Sequence, residues 1–385
     1  MALEIGGEAY LNFTESLSTK TTLKHYLFCI EKYATFRNTS NLDDIIIQDK
    51  DTNNAFSQVR RFLATLLERG LGQGSIINYR HVLKHFYDMN DIILNWNKLA
   101  KFTRREEVRK KDRAYTREEI QKMLGVSDLK SRAIILLFAS SFVRLGGIAG
   151  LVVGNLMKTN DLYQIVVYAG SNDEYTTFCT PECTKVIDSY LESRIRCGEI
   201  ISDESPLFRR KFDTDDPLKA KNNVKAVGIE GISFLVKQAI IKSGIHAQVK
   251  GQVKRNHGFR KWGDTTMIRK AINVVDKETL LGHGTGLDDK YYRPTDTELL
   301  EEYQKAVDNL TINEENRLKT KVQTLEKDQA RIGILEKQMQ TLISTINQMG
   351  EEGYVGVDEI DWVIEQKKLD KIPKYADLTN GVRTQ

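Results

Sequence analysis

The sequence predicts a mainly α protein with a small β-hairpin (α+β), built as a helical front domain, a second mixed domain and a C-terminal coiled coil. Three observations carry this. Apolar residues recur every three or four positions through most of the 385 residues, the mark of amphipathic helices. Alternating β-branched and aromatic runs are confined to residues 163–179. From residue 314 to 349, Leu318, Val322, Leu325, Ile332, Leu335, Met339, Leu342 and Ile346 repeat at heptad spacing among Lys, Glu and Gln. A chain of this length needs more than one core, and the expected divisions are 1–100, 101–113, 114–311, 312–350 and 351–385.

Residues 1–16 lack periodicity and read as an arm. Ser18 is placed to N-cap a helix whose buried face holds Leu23, Tyr26, Leu27, Ile30, Tyr33 and Phe36. A second helix fits Ala55 to Arg69, stopped by Gly70, and a third starts near Ser75. Lys20, Lys24, Arg60, Arg61, Arg69, Arg80, His81 and Lys84 fall on exposed faces, which fits simple solvation or phosphate contact equally. Residues 101–113 hold seven basic and three acidic residues without an apolar stripe, and read as an interdomain linker able to track a polyanion.

The second domain opens on a capping box, Thr116 with Glu119. Ser131 to Phe142 is apolar almost all round and reads as a core helix. Arg144 follows at its C-terminal end, placed to meet an anion or simply to answer the helix dipole. Tyr163–Tyr168 and Tyr175–Cys179 flank Gly170–Asp173 as a hairpin, and helices follow at Glu182–Cys197 and Gly231–Gly244. Between Lys237 and Lys270 nine basic residues face one acid, Asp264. Behind Pro294, Leu299, Leu300, Tyr303, Ala306, Val307 and Leu310 line one side of a helix expected to cover its own domain. The heptad pattern slips phase between Ile332 and Leu335, beside Gly333. It implies self-association, the rival being a helix folded back on its own domain. The acidic tail with Tyr354, Trp362 and Tyr375 receives no role.

Charge is unevenly divided, since residues 295–385 hold 12 basic and 18 acidic residues against 45 and 35 in residues 1–294. A basic front suits a polyanionic partner. No apolar run reaches the roughly 20 residues of a membrane span, and the N-terminus lacks a signal-peptide pattern, so an intracellular protein without a membrane partner is expected. Cys29, Cys179, Cys183 and Cys197 read as thiols; the Cys179–Cys183 gap contains Pro181 and makes a poor zinc half-site, so no metal is expected.

The densest chemistry lies between Asn256 and Thr295, where His257, Arg260, His283, Tyr291 and Tyr292 occur together. Cations, imidazoles and phenols without a carboxylate pair suit a phosphate. Two guanidiniums, Arg144 and Arg260, can neutralise the charge that grows on a phosphodiester under attack, with a bidentate geometry lysine lacks. A phenol can attack phosphorus and hold it as an ester for rejoining.

This order of residues, Arg144, a small hairpin, His257-x-x-Arg260, Leu-Gly-His283 and a tyrosine nine residues later, resembles the catalytic domain of the tyrosine recombinases, the phage and archaeal integrase family. The resemblance covers residues 15–310 and includes the front helices, which look like the family's DNA-clamping core-binding domain. It implies a site-specific recombinase or integrase of a mobile element. Such an enzyme works on double-stranded DNA through a 3′-phosphotyrosyl intermediate, as a dimer to tetramer and without a cofactor. Arg144, His257, Arg260 and His283 would act at the phosphate. Spacing makes Tyr292 the nucleophile, with Tyr291 as the alternative. Arg104, Arg105, Lys110, Lys111, Lys254, Arg255 and Lys261 are the expected DNA contacts. Two departures stand out. The family's hairpin lysine is missing, with Ala169 and Asn172 where it is expected and Lys158 nearest, and Phe142 occupies a position usually small. A DNA-binding protein of this fold without the lysine's chemistry is the alternative reading. An assembly protein dominated by its coiled coil is a third.

Overall fold

The computed structural model describes residues 3–104, 112–213, 216–222, 224–284 and 292–351. The chain divides into two compact units, Met1–Lys110 and Lys111–Gln385.

The first unit contains six helices: α1 (Glu8–Glu15), α2 (Lys20–Phe36), α3 (Leu42–Gln48), α4 (Thr52–Glu68), α5 (Gln73–Asp88) and α6 (Trp96–Thr103). Phe13, Ile30, Tyr33, Leu63, Leu83 and Phe86 interlock at its centre with almost no exposure. Beneath them Asp49 accepts hydrogen bonds from Arg37 at 2.6 Å and Tyr87 at 2.5 Å, and the Tyr33 hydroxyl meets that of Tyr87 at 2.7 Å. A buried carboxylate is tolerable only when paired in this way. Burial pushes the Tyr33 phenol up to about 12.

Three expectations fail here. Residues 8–15 form α1 rather than an arm; the helix is so short that two anchors, Ala9 and Phe13, hold it, too few to show a period. The cap of α2 is Thr19, not Ser18, its hydroxyl accepting from Thr22 N at 3.2 Å. The basic stretch from 101 is helical at its start, where α6 buries Thr103; residues 105–111 of that stretch lie outside the described residues.

The second unit begins with α7 (Arg117–Gly125), capped by the expected Thr116–Glu119 box, and α8 (Leu129–Ser141), capped by Asp128. All but three residues of α8 are buried, so it is the axis of this core. Phe142 then adopts φ 59, which ends the helix. Its ring fits only because residue 263 is glycine: a Cβ there would lie 1.9 Å from it. The chain turns into α9 (Leu145–Gly150), followed by β1 (Leu156–Thr159), β2 (Leu162–Val167) and β3 (Tyr175–Cys179) in an antiparallel sheet of order β1-β2-β3. The expected hairpin thus gains a third strand, registered Leu156 to Ile165, too short and too exposed to alternate visibly in the sequence.

Beyond the sheet come α10 (Pro181–Arg196), α11 (Pro217–Lys221), α12 (Ile229–Lys242), α13 (His246–Val249), α14 (His257–Arg269), α15 (Val274–Leu280), α16 (Asp296–Leu310) and α17 (Glu314–Glu351). α16 covers its own domain, burying Leu299, Tyr303 and Leu310 with Phe142 and Phe178; the Tyr303 hydroxyl donates to Ser140 O at 2.9 Å. The Glu182 carboxylate accepts the backbone N–H groups of Ile312 at 2.8 Å and Asn313 at 3.1 Å, fixing the chain just before α17. Along α17 the seam stays open to solvent, with Leu318, Leu325 and Leu342 each more than half exposed. Among the described residues no helix is long and apolar enough to cross a membrane.

Candidate active site

Arg144 is not at the end of α8, as the sequence suggests, but at the N-cap of α9, beyond the Phe142 turn. The left-handed turn redirects the chain so that the side chain points across to the loop after α15, where Nη1 donates to Gly282 O at 2.9 Å. Arg260 reaches the same loop from the first turn of α14. Only 8% exposed, it donates from Nη1 to Phe142 O at 2.7 Å and from Nη2 to Leu281 O and to His283 Nε2, the last at 2.9 Å. Two like charges are thus held near one another by carbonyls at the C-terminal end of α15, where the helix dipole favours cations. Burial, and then Arg144, lower the Arg260 pKa, but a guanidinium stays protonated in proteins.

His283 lies between a donor and an acceptor. Arg260 can only donate, so Nε2 of the neutral ring accepts, and its proton sits on Nδ1, which meets Glu278 at 2.5 Å. Burial pushes the Glu278 carboxyl up, but Lys277 and His283 outweigh this and hold it below the usual range. Lys277 in turn bridges Glu278 at 2.8 Å and Asp264 at 2.7 Å.

Of these groups, Arg144 and His283 border a cleft of about 570 Å³, lined also by Tyr168, Tyr175, Thr279 and Gly282, with the Asn172–Glu174 turn at its rim. Gly282, at φ 60, packs flat on Tyr175; a Cβ would come within 2.4 Å of the ring. Sequence reasoning missed Tyr168 and Tyr175. The available signal was that both are aromatics at strand ends beside a polar turn; in the structure Tyr175 lies against Gly282, and Tyr168 against Gly146 and Gly147. His257 starts α14 one turn before Arg260 and is exposed. Burial lowers its pKa, followed by Lys261, Lys254 and Arg260, so the ring is neutral at neutral pH.

No protein-family model matches the sequence, and no curated protein is significantly similar to it. Solved structures do match. The XerH site-specific recombinase in a post-cleavage complex with its palindromic difH substrate is 15% identical, with 73% of this chain and 78% of that chain covered and a TM-score of 0.51. A lambda integrase dimer bound to a COC′ core site is 14% identical, covering 74% and 75% at a TM-score of 0.50. A Tn1549 transposon integrase complex with circular intermediate DNA is 12% identical, covering 76% and 96% at 0.50. At such identities the likeness is one of fold.

The chain has the tyrosine recombinase fold.

Against that fold the remaining expected residues divide. Tyr292 does not line the cleft. It is 40% exposed and its hydroxyl engages Asp276 on α15; desolvation first, then this bond and the charges of Asp276, Glu298 and Glu302, raise its pKa. Tyr291 lies outside the described residues. Lys158 is on β1 rather than in a loop, and its Nζ pairs with Asp188 at 2.9 Å, away from the cleft-lining residues. Phe142, large where the family is small, is accommodated by Gly263.

Of the expected basic contacts, Lys261 binds Asp112 at 2.5 Å and Lys254 lies 3.7 Å from the same carboxylate. The Lys261 hydrogen bond, with both lysine charges, holds the half-buried Asp112 carboxyl low. Arg255 is exposed and donates to Ser233 Oγ at 3.0 Å. Arg104 is exposed just after α6, in the first unit, and Arg105, Lys110 and Lys111 lie outside the described residues.

Proposed function

We propose that the chain recombines double-stranded DNA at specific sites, cutting and rejoining strands through a 3′-phosphotyrosyl intermediate. The supporting observation is that Arg144 and His283 line one cleft, with the buried Arg260 bonded to His283 behind it, within a recombinase fold. The XerH, lambda and Tn1549 structures carry DNA substrates, and the same partner is assigned here.

The scissile phosphate enters the cleft, and the N–H groups of Arg144 and Arg260 meet the charge that develops on its free oxygens. Preorganised donors of this kind contribute about 10²- to 10³-fold each. Tyr292 leaves Asp276 and attacks phosphorus, and the neutral His257 takes its proton. The ester conserves the energy of the broken bond for the second strand. The exposed apolar residues of α17 support the reading that more than one copy acts, dimer to tetramer on DNA.

The test starts from a random-sequence duplex pool. Wild-type protein should form covalent adducts whose sequences define a site, and a duplex nicked beside that site should trap the adduct. Arg144→Ala and Arg260→Ala should each lower its yield about 10²-fold or more while duplex binding survives. A wild type that binds DNA with strong salt dependence yet never yields an adduct would sink cleavage. The remaining reading would then be a DNA-binding protein of this fold, which the positions of Lys158 and Tyr292 favour.

A further inference from the structure

Cutting a strand leaves an alkoxide that needs a proton, and the cleft has few groups able to give one. The guanidiniums of Arg144 and Arg260 do not release theirs. The His283 proton is committed to Glu278 while Nε2 accepts from Arg260. Neutral His257 takes a proton rather than giving one. Lys277 is tied to Asp264 and Glu278. At the rim Glu174 is an acceptor, receiving the Gly170 N–H at 2.6 Å.

Tyr175 differs from all of these. It opens β3, lines the cleft and is held rigidly by its ring against Gly282. Its hydroxyl is buried and donates to no acceptor among the described residues, with the Arg260 guanidinium beside it. The neighbouring guanidiniums of Arg260 and Arg144 can only donate to its oxygen, so its own proton has no acceptor among the described residues. A buried hydroxyl whose proton is unpaired carries a desolvation penalty, which a bound substrate oxygen would relieve. Tyr168, the other cleft phenol, has its hydroxyl over Gly146 instead.

We propose that the Tyr175 hydroxyl supplies the proton taken by the leaving 5′ oxygen when the strand is cut. This rests on the strand-cleavage reading above. As the Tyr292 Oη–phosphorus bond forms, the phosphorus–O5′ bond breaks. Its electron pair stays on O5′, which takes the Tyr175 proton, while the Tyr292 proton passes to His257. The Tyr175 phenolate, flanked by the two guanidiniums, regains a proton from water. Burial raises the Tyr175 phenol and the two cations only partly offset this, so it is protonated and available at neutral pH.

Tyr175→Phe keeps the ring on Gly282 and deletes one oxygen. The full-length protein is tested on two nicked suicide duplexes, one with the ordinary 5′ oxygen at the scissile position and one with a bridging 5′ sulfur. On oxygen the variant should form adduct about 10²- to 10⁴-fold more slowly than wild type. On sulfur it should match wild type, because a thiolate leaves without being protonated. Equal slowing on both duplexes, or none on oxygen, overturns the assignment while leaving the cleavage reading intact. If wild type forms adduct on neither duplex, or a Tyr291→Phe, Tyr292→Phe double variant still does, the cleavage reading fails and this inference with it. Wild-type rates on the sulfur duplex also show that the variant is folded.

Discussion

At the scale of single residues, the site depends on charged groups satisfied by backbone carbonyls and by one another. Arg260 is buried because Phe142 O, Leu281 O and His283 Nε2 satisfy it in a geometry that a lysine ammonium cannot reproduce. Arg260→Lys is therefore expected to lose most of the adduct yield, about 10²-fold, while binding duplex nearly as well. Glu278→Ala removes the acceptor that selects the His283 tautomer. The Nδ1 NMR signal of the neutral ring should then lose its hydrogen-bond shift, and an unchanged signal would count against the assignment. The proposed phosphate-binding set of Arg144, His257, Arg260 and His283 was named in the sequence because those residue types at that spacing suit phosphate chemistry. Tyr175 was not, since its importance comes from a hydroxyl proton without an acceptor and from Gly282 beneath its ring, and neither exists before the chain folds.

At the scale of elements, long periodic helices were easy to read and short anchored ones were not. α8 and α16 announce themselves through many apolar positions, while α1 and α3 bury two residues each and β1 buries none. Register can also depend on distant residues. Phe142 and Gly263 lie on different elements, and only their contact explains how a bulky side chain sits beside Arg144. Gly263→Ala is expected to cost about 2 kcal/mol or more by overpacking, lowering the melting temperature and loosening the Arg144 loop.

A second element-scale device is acid-sensitive. Glu199, 3% exposed, joins Arg194 and Arg209 at the base of the loop after α10. Burial pushes its carboxyl up, but the two arginines outweigh burial and leave it depressed. The unfolded chain therefore binds this proton first as pH falls. The contribution is complete above the unfolded value of about 4.3 and is lost below it. Denaturation followed between pH 7 and 3 should show a fall in stability below pH 4.5 or so that Glu199→Gln flattens, at the cost of a lower plateau at neutral pH.

At the scale of the whole chain, charge and length set the behaviour. The basic front predicts that duplex affinity falls steeply with salt, and Lys254→Ala or Arg255→Ala should each reduce the slope of log affinity against log salt by about 1. Lys261→Ala should change it less, because Asp112 already compensates that charge. The single helix α17 is 38 residues long, so it extends about 57 Å. Its exposed seam is expected to make apparent mass depend on concentration, and Leu325→Asp with Leu342→Asp should give a single monomeric species in sedimentation.

Glu182 gives that long helix a mechanical meaning. Its carboxylate holds the amides of Ile312 and Asn313, and it stands at the second position of α10, immediately after the strand that Tyr175 begins. That carboxylate is one path by which a displacement of the long helix would reach β3, whose first residue, Tyr175, lines the cleft. Glu182→Ala cuts that path: amide exchange at Ile312 and Asn313 should accelerate sharply while β3 stays protected.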